Sequence, residues 1–269
     1  MSKSGTFCGY YTLLLILLYI PIGVLFLYSI NEGTVFTFPP QKLTIHWYKD
    51  ALDNAELVDA LRNSGMVALA SSVLATTLGT MAAIALIRFE FRGKSILLVV
   101  ALLPLLLPFL ILGVALLILF AALDIPRSLV TVAIAHTVVS LPYTLLILMA
   151  RLIGFDPRLE EAAQDLGASY LYTLRRVILP LIAPAILAAW LVAFTVSFDE
   201  FVLASFLNGG EATLPVFIFG QLRFASRFPQ VIALAVAVML MSIMFFVVSD
   251  WLQGLGAPNP LDTPTEEPQ

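Results

Sequence analysis

Three groups of residues in this chain are of types that could do chemistry. Asp199 and Glu200 stand side by side, directly after an apolar run of more than 20 residues. A carboxylate there either meets a cation in a polar cavity or ends a helix at the water interface, because burying it among lipid tails is costly. His136 sits beside Thr137, with Ser140 one turn on. No other ionisable residue lies in that apolar stretch, so a proton relay lacks members and a hydrogen-bonded packing role is expected. The third group is Glu161-Ala162-Ala163 followed by Gly167, an acceptor, two small residues and a turn-former in a polar segment. None of the three belongs to a catalytic constellation. There is no H-E-x-x-H, no G-x-S-x-G, and no G-x-x-x-x-G-K-S/T to cradle phosphates. Cys8 is the only cysteine, which excludes an intrachain disulfide and a cysteine metal cluster and leaves it as a small apolar filler of the first helix.

The elements that must position these groups follow from composition. Of 269 residues, 60% are hydrophobic and 12% charged, with a mean hydropathy of +0.98. Soluble domains are roughly 45–50% apolar and about 25% charged. A water-soluble fold of this size cannot hide so much apolar surface, so membrane lipid is the expected solvent. The net charge of −4 provides no basic footprint for nucleic acid.

Charges cluster, and the gaps between clusters mark the spans. No charged residue occurs between Lys3 and Glu32, Arg62 and Arg88, Lys94 and Asp124, Arg127 and Arg151, Arg176 and Asp199, or Arg227 and Asp250. A helix needs about 20 apolar residues to cross a hydrocarbon layer of about 30 Å. Six transmembrane helices are therefore expected, near 8–30, 64–87, 96–122, 128–150, 177–198 and 229–249. Period-2 alternation is missing, which argues against a barrel. Pro21, Pro104, Pro108, Pro142, Pro180 and Pro184 are compatible with membrane helices, where neighbours satisfy the freed carbonyls. The first run exceeds a signal-peptide core and no A-x-A-like site follows, so it reads as an uncleaved anchor.

With both termini cytoplasmic, eight of the 14 basic residues fall inside and six outside. The strongest contribution is Arg88-Phe89-Glu90-Phe91-Arg92-Gly93-Lys94. In the outer loop, Trp47, Ala51, Val58 and Leu61 share a helical face with charges between them, which predicts a surface helix before Asn63-Ser64 opens the second span. The tail after Trp251 is polar and proline-rich, and disorder is expected.

Segment 152–176, between the fourth and fifth spans, has a definite local design. Asp156 can cap a helix with Pro157 in its first turn, residues 158–166 favour helix, and Gly167 can turn left-handed. Ser169 can cap a second helix through Arg175-Arg176 into Val177-Ile178-Leu179-Pro180. The prediction is a helix–turn–helix knob presented to the cytoplasm.

The order Glu161-Ala162-Ala163, three residues, Gly167, nine residues, Val177-Ile178-Leu179-Pro180 resembles the EAA signature of ABC importer permeases, with Val177 in place of isoleucine. Asn63-Ser64, the stretch Arg88 to Lys94, Ser197-Phe198-Asp199-Glu200-Phe201 and Leu214-Pro215-Val216-Phe217-Ile218-Phe219 resemble the spermidine/putrescine branch over about 45–250. The resemblance implies an all-α, six-helix type I importer permease fold. It divides the chain into 1–56 (first helix and outer loop), 57–250 (transmembrane domain, with the coupling loop at about 152–180) and 251–269 (tail). It implies a second permease subunit, two copies of an ATPase that hold the ATP and magnesium, a periplasmic binding protein, and a place in the bacterial inner membrane. This chain itself would hold no cofactor.

By that resemblance Glu161, Ala162, Ala163, Asp165 and Gly167 would engage the ATPase, and acidic Asp199 and Glu200 would suit a cationic, polyamine-like substrate. Phe198, Tyr143 and Trp190 are candidates for the path; Trp190, one turn from Phe194, either lines it or meets lipid, and Pro142 bends its helix beside Tyr143. Gly79 with Ala83 suits close helix packing. Two departures from the polyamine pattern are Phe109 after Pro108, where an acid is common, and Pro229-Gln230-Val231-Ile232-Ala233. Importers of opines, aminophosphonates or other amino compounds use the same scaffold. A passive channel has no need of such a knob, and an intramembrane enzyme needs catalytic pairs that are missing.

Overall fold

A computed structural model describes residues 2–33, 39–40, 42–224 and 227–255. The Cys8 side chain and residues 256–269 of the tail lie outside the described residues. The described chain is helical, with no strand and one isolated bridge between Asn31 and Leu43. Among the described residues, five helices are long and apolar enough to cross a membrane, and a bent pair of shorter helices supplies a sixth crossing if counted as one.

Helix α1 (Ser2–Ser29) is apolar on all sides and exposes Leu13, Ile16, Leu17 and Leu18. That is the surface of a helix whose solvent is lipid. After it, Trp47 Nε1 donates to the Asn31 carbonyl at 2.8 Å, which ties the short helix α2 (His46–Leu52) to the end of α1.

Helix α3 (Ala55–Arg88) departs from expectation. The surface helix predicted to stop before Asn63 instead runs unbroken into the second span. The break falls earlier, at Asp53-Asn54, where Asn54 Oδ1 accepts from Leu57 N at 3.2 Å and starts the helix. No proline or glycine pair interrupts the next 34 residues. Asn63 lies inside the helix, and its amide donates to the Ala212 carbonyl at 3.1 Å.

The third span is a second correction. Helices α4 (Lys94–Leu106) and α5 (Phe109–Ala122) meet at 111° rather than forming one rod. Pro108 disfavours the helical conformation of the residue before it, and both Leu107 and Pro108 are extended, with ψ of 131°. Proline inside a span is tolerable, but here it breaks the helix.

Helix α6 (Leu129–Ile153) precedes the knob, α9 (Leu179–Phe198) follows it, α11 (Leu214–Gln221) is short, and α12 (Phe228–Leu255) ends the described chain. The last helix continues past Trp251 into the segment expected to be tail, because the first helix-opposing proline is Pro258.

The chain divides into two compact units. The first comprises the described residues of Met1–Leu61 with Leu214–Met241, and the second those of Arg62–Thr213 with Ser242–Gln269. The second holds the principal core, in which Ala83, Ile84 and Leu86 of α3 meet Leu145, Leu148 and Leu152 of α6 and Ile178, Ile182 and Ala185 nearby. Close approach depends on Gly79, where an added Cβ would collide with Thr144 Oγ1 and lie 3.0 Å from Thr144 Cβ. The Gly79/Ala83 stripe packs helices, as its small residues predict.

Candidate functional site

The knob forms as its capping residues dictate. Asp156 Oδ1 accepts from Arg158 N at 2.9 Å and starts α7 (Arg158–Asp165). Its end is a Schellman closure: Gly167 N donates to Gln164 O at 2.8 Å and Ala168 N to Ala163 O at 3.1 Å. Gly167 has φ of +86°, which a side chain rarely adopts. Ser169 Oγ accepts from Tyr172 N at 3.4 Å and opens α8 (Tyr170–Thr173). A π-helical turn at Leu174–Ile178, not foreseen from sequence, carries the chain into α9. The second helix of the knob and the fifth span are thus one continuous helical path.

The structure brings Glu161, Ala162, Asp165 and Gly167 to the surface together, with Ala163 half-buried. Beside them Leu159, Leu166, Leu171 and Tyr172 are also exposed, Leu166 at 91%. Polar and apolar groups therefore share one small exposed face. Such a face suits a protein partner better than water.

Sequence reasoning missed the anchorage of the knob. Arg88, the last residue of α3, places a guanidinium nitrogen 2.6 Å from Glu160 Oε1, with side chains only 15% and 10% exposed. The same guanidinium lies over the Phe155 ring, 5.5 Å from its centroid. Phe89 meets Tyr170 edge-on at 5.3 Å. The sequence signal was a second acid directly before Glu161, at a position that faces inward.

A second cluster lies around the end of α9. His136 Nε2 is 3.2 Å from Glu200 Oε2, with side chains 1% and 3% exposed. His136 Nδ1 is 2.8 Å from Ser197 Oγ, which is 2.8 Å from Ser71 Oγ of α3. Glu200 also accepts from Leu203 N at 3.0 and 2.9 Å and from Ala204 N at 3.2 Å, capping α10 (Val202–Leu207). His136 thus has the hydrogen-bonded interior role expected of it. The ionisable partner that its own span lacked arrives from another element.

Glu200 is buried with its oxygens engaged inside the chain, whereas Asp199 is exposed. Asp199 Oδ2 accepts from Ser242 Oγ of α12 at 2.7 Å. Trp190, Phe194 and Phe198 form a ladder along α9 with ring centroids 5.9 and 5.8 Å apart, and Phe245 of α12 meets Phe194 edge-on at 5.3 Å. Tyr143 is half-buried on α6 and makes none of the described ring contacts.

A multi-pass helical protein with an exposed helix–turn–helix between two spans, and no phosphate cradle in its sequence, has the build of a transporter's membrane subunit rather than its motor. The model of the binding-protein-dependent transport system inner membrane component matches residues 75–259, and the chain belongs to that family. It is 35% identical over 242 residues to the spermidine/putrescine transport system permease protein PotC of Escherichia coli, covering 90% of this chain and 91% of that protein. It is 36% identical over 230 residues to the putrescine transport system permease protein PotI of Escherichia coli, covering 82% of this chain and 81% of that one. Among solved structures, it is similar in fold to a bacterial alginate ABC transporter in complex with an alginate pentasaccharide-bound periplasmic protein. The TM-score is 0.66 at 14% identity, covering 93% of this chain and 91% of that chain. The protein is thus an inner-membrane, multi-pass permease subunit of an ABC importer, and not its ATPase.

Proposed function

We propose that this chain forms half of a translocation path for a polyamine such as spermidine or putrescine. A second permease subunit completes the path, a periplasmic binding protein delivers the substrate, and two ATPase copies drive the cycle. Both termini and the knob then face the cytoplasm. The observation that carries the coupling role is the knob itself, a rigidly capped turn whose exposed face combines Glu161, Asp165 and Gly167 with Leu159 and Leu166. Rigid helices of this kind move as levers when the body they dock on closes.

The substrate class is supported by likeness to PotC and PotI and by the exposed carboxylate of Asp199. Glu200, engaged with His136 and α10, supports Asp199 from behind rather than meeting substrate. Phe109 after Pro108 and the Pro229-Gln230 stretch favour a second reading, in which the same scaffold moves an opine, aminophosphonate or other amino compound. The test is uptake by the reconstituted complex with its binding protein. Labelled spermidine or putrescine should accumulate with ATP, and failure with both, alongside accumulation of an amino acid or opine, favours the second reading.

A further inference from the structure

The exposed face of the knob is one side of it; the inner side holds the end of α3. Glu160 and Phe155 both grip Arg88, and Tyr170 grips Phe89. The residues that flank the turn on either side thus converge on Arg88, the last residue of α3, and on Phe89 directly after it. From Arg88 that helix runs without proline back to Ser71, 17 residues away and about 26 Å along its axis. Ser71 meets Ser197, and Ser197 meets His136, within three residues of both Asp199 and Glu200. One unbroken rod therefore has the knob at one end and the carboxylate cluster along its length.

We propose that the Arg88–Glu160 ion pair is a coupling link: Arg88 and Glu160 are positioning residues that make α3 follow the knob, so that ATPase closure is felt at Ser71, Ser197 and Asp199. This rests on reading the knob as the ATPase dock. Three features favour a link over a simple surface contact. The pair is largely buried, so solvent screens it weakly and a lost partner leaves a charge mostly out of water. It joins the end of one element to the first turn of another, with no other route through α7 to α3 among the described ion pairs. Arg88 also stands at a helix C-terminus, where the dipole favours a cation and holds the guanidinium in place. Glu161, one residue on, points outward and is left for the partner.

The experiment uses the whole complex in proteoliposomes with its binding protein and labelled spermidine or putrescine, whichever the complex accumulates. Glu160→Gln, Arg88→Gln and the exchange Arg88→Glu with Glu160→Arg are compared with the parent chain. Three readouts are taken: ATPase subunit retained on purification, ATP hydrolysed, and substrate moved per ATP. Both single variants should keep the ATPase subunit and hydrolyse ATP, yet move at least tenfold less substrate per ATP, and the exchange, which restores the pair but sets both charges against the helix dipoles, should recover part of that ratio. A merely structural pair would change yield or assembly and leave the ratio alone. Single variants that retain the ATPase and transport at the parent ratio overturn the link, and so does loss of the ATPase in every variant. If the parent chain itself retains no ATPase, the docking reading has failed instead, and that outcome is distinct.

Discussion

His136 Nε2 and Glu200 Oε2 are 3.2 Å apart in the interior, and they join two elements that the sequence separates by 64 positions. Glu200 also caps α10 through two backbone N–H groups. One carboxylate thus fixes the turn that presents Asp199. The adjacent acids, alike in sequence, have opposite tasks, one holding the interior and one facing out.

Glu200→Ala should cost about 3 kcal/mol or more, because it strips a cap and leaves a buried imidazole without its carboxylate. Asp199→Asn should leave stability within about 0.5 kcal/mol, since an exposed amide oxygen still accepts from Ser242. Thermal unfolding of the two variants in the same detergent checks the contrast. A lower Tm for Asp199→Asn than for Glu200→Ala would reverse the assignment of roles.

Asp199→Asn should instead reduce transport of a cationic substrate while ATP hydrolysis remains intact. A carboxylate facing a diffusing cation contributes through charge, which the isosteric amide lacks. Concentration dependence of uptake is the measurement, and a raised apparent KM is expected. An unchanged curve would return Asp199 to a helix end that substrate never meets.

Gly167→Val should be far worse than Gly167→Asn. Nothing lies within 4 Å of an added Cβ, so the penalty is conformational rather than steric. A left-handed φ costs a branched residue about 1–2 kcal/mol, and asparagine tolerates it better. Substrate-stimulated ATP hydrolysis should fall with valine and largely survive with asparagine. Equal activity in both would mean the Schellman turn is dispensable.

Gly79→Val should block folding, since a side chain there collides with Thr144 against the backbone of α6. The expected loss is about 3 kcal/mol or more, as for severe overpacking. Gly65→Val, on the same helix with open space around it, should be tolerated. Yield of monodisperse protein in detergent compares them.

Much of this was legible from residues. Charge gaps located the spans because a lipid solvent forbids unpaired charge over about 20 residues. Asp156, Gly167 and Ser169 announced the knob because caps are local chemistry. What stayed hidden is non-local. The break at Pro108 depended on whether neighbours satisfy a freed carbonyl, which sequence does not state. The surface helix merged with α3 because Asn54, not Asn63, is the residue that caps. The Arg88–Glu160 and His136–Glu200 pairs join elements far apart in the chain. An inward-facing acid such as Glu160 looks like any solvated one until its neighbours are known.

The central claim is that the knob docks on an ATPase subunit, and cross-linking tests it most directly. With Cys8→Ser, the chain has no cysteine, and Leu166→Cys then places one thiol at the most exposed apolar point of the knob. In the reconstituted complex a short thiol-to-amine reagent should join this chain to the ATPase subunit in high yield, and ATP should change that yield. A thiol at Leu106, also highly exposed but on α4, should give no such product. A transport-competent complex in which Leu166→Cys never links to the ATPase, under conditions where the thiol is labelled fully, would contradict the account.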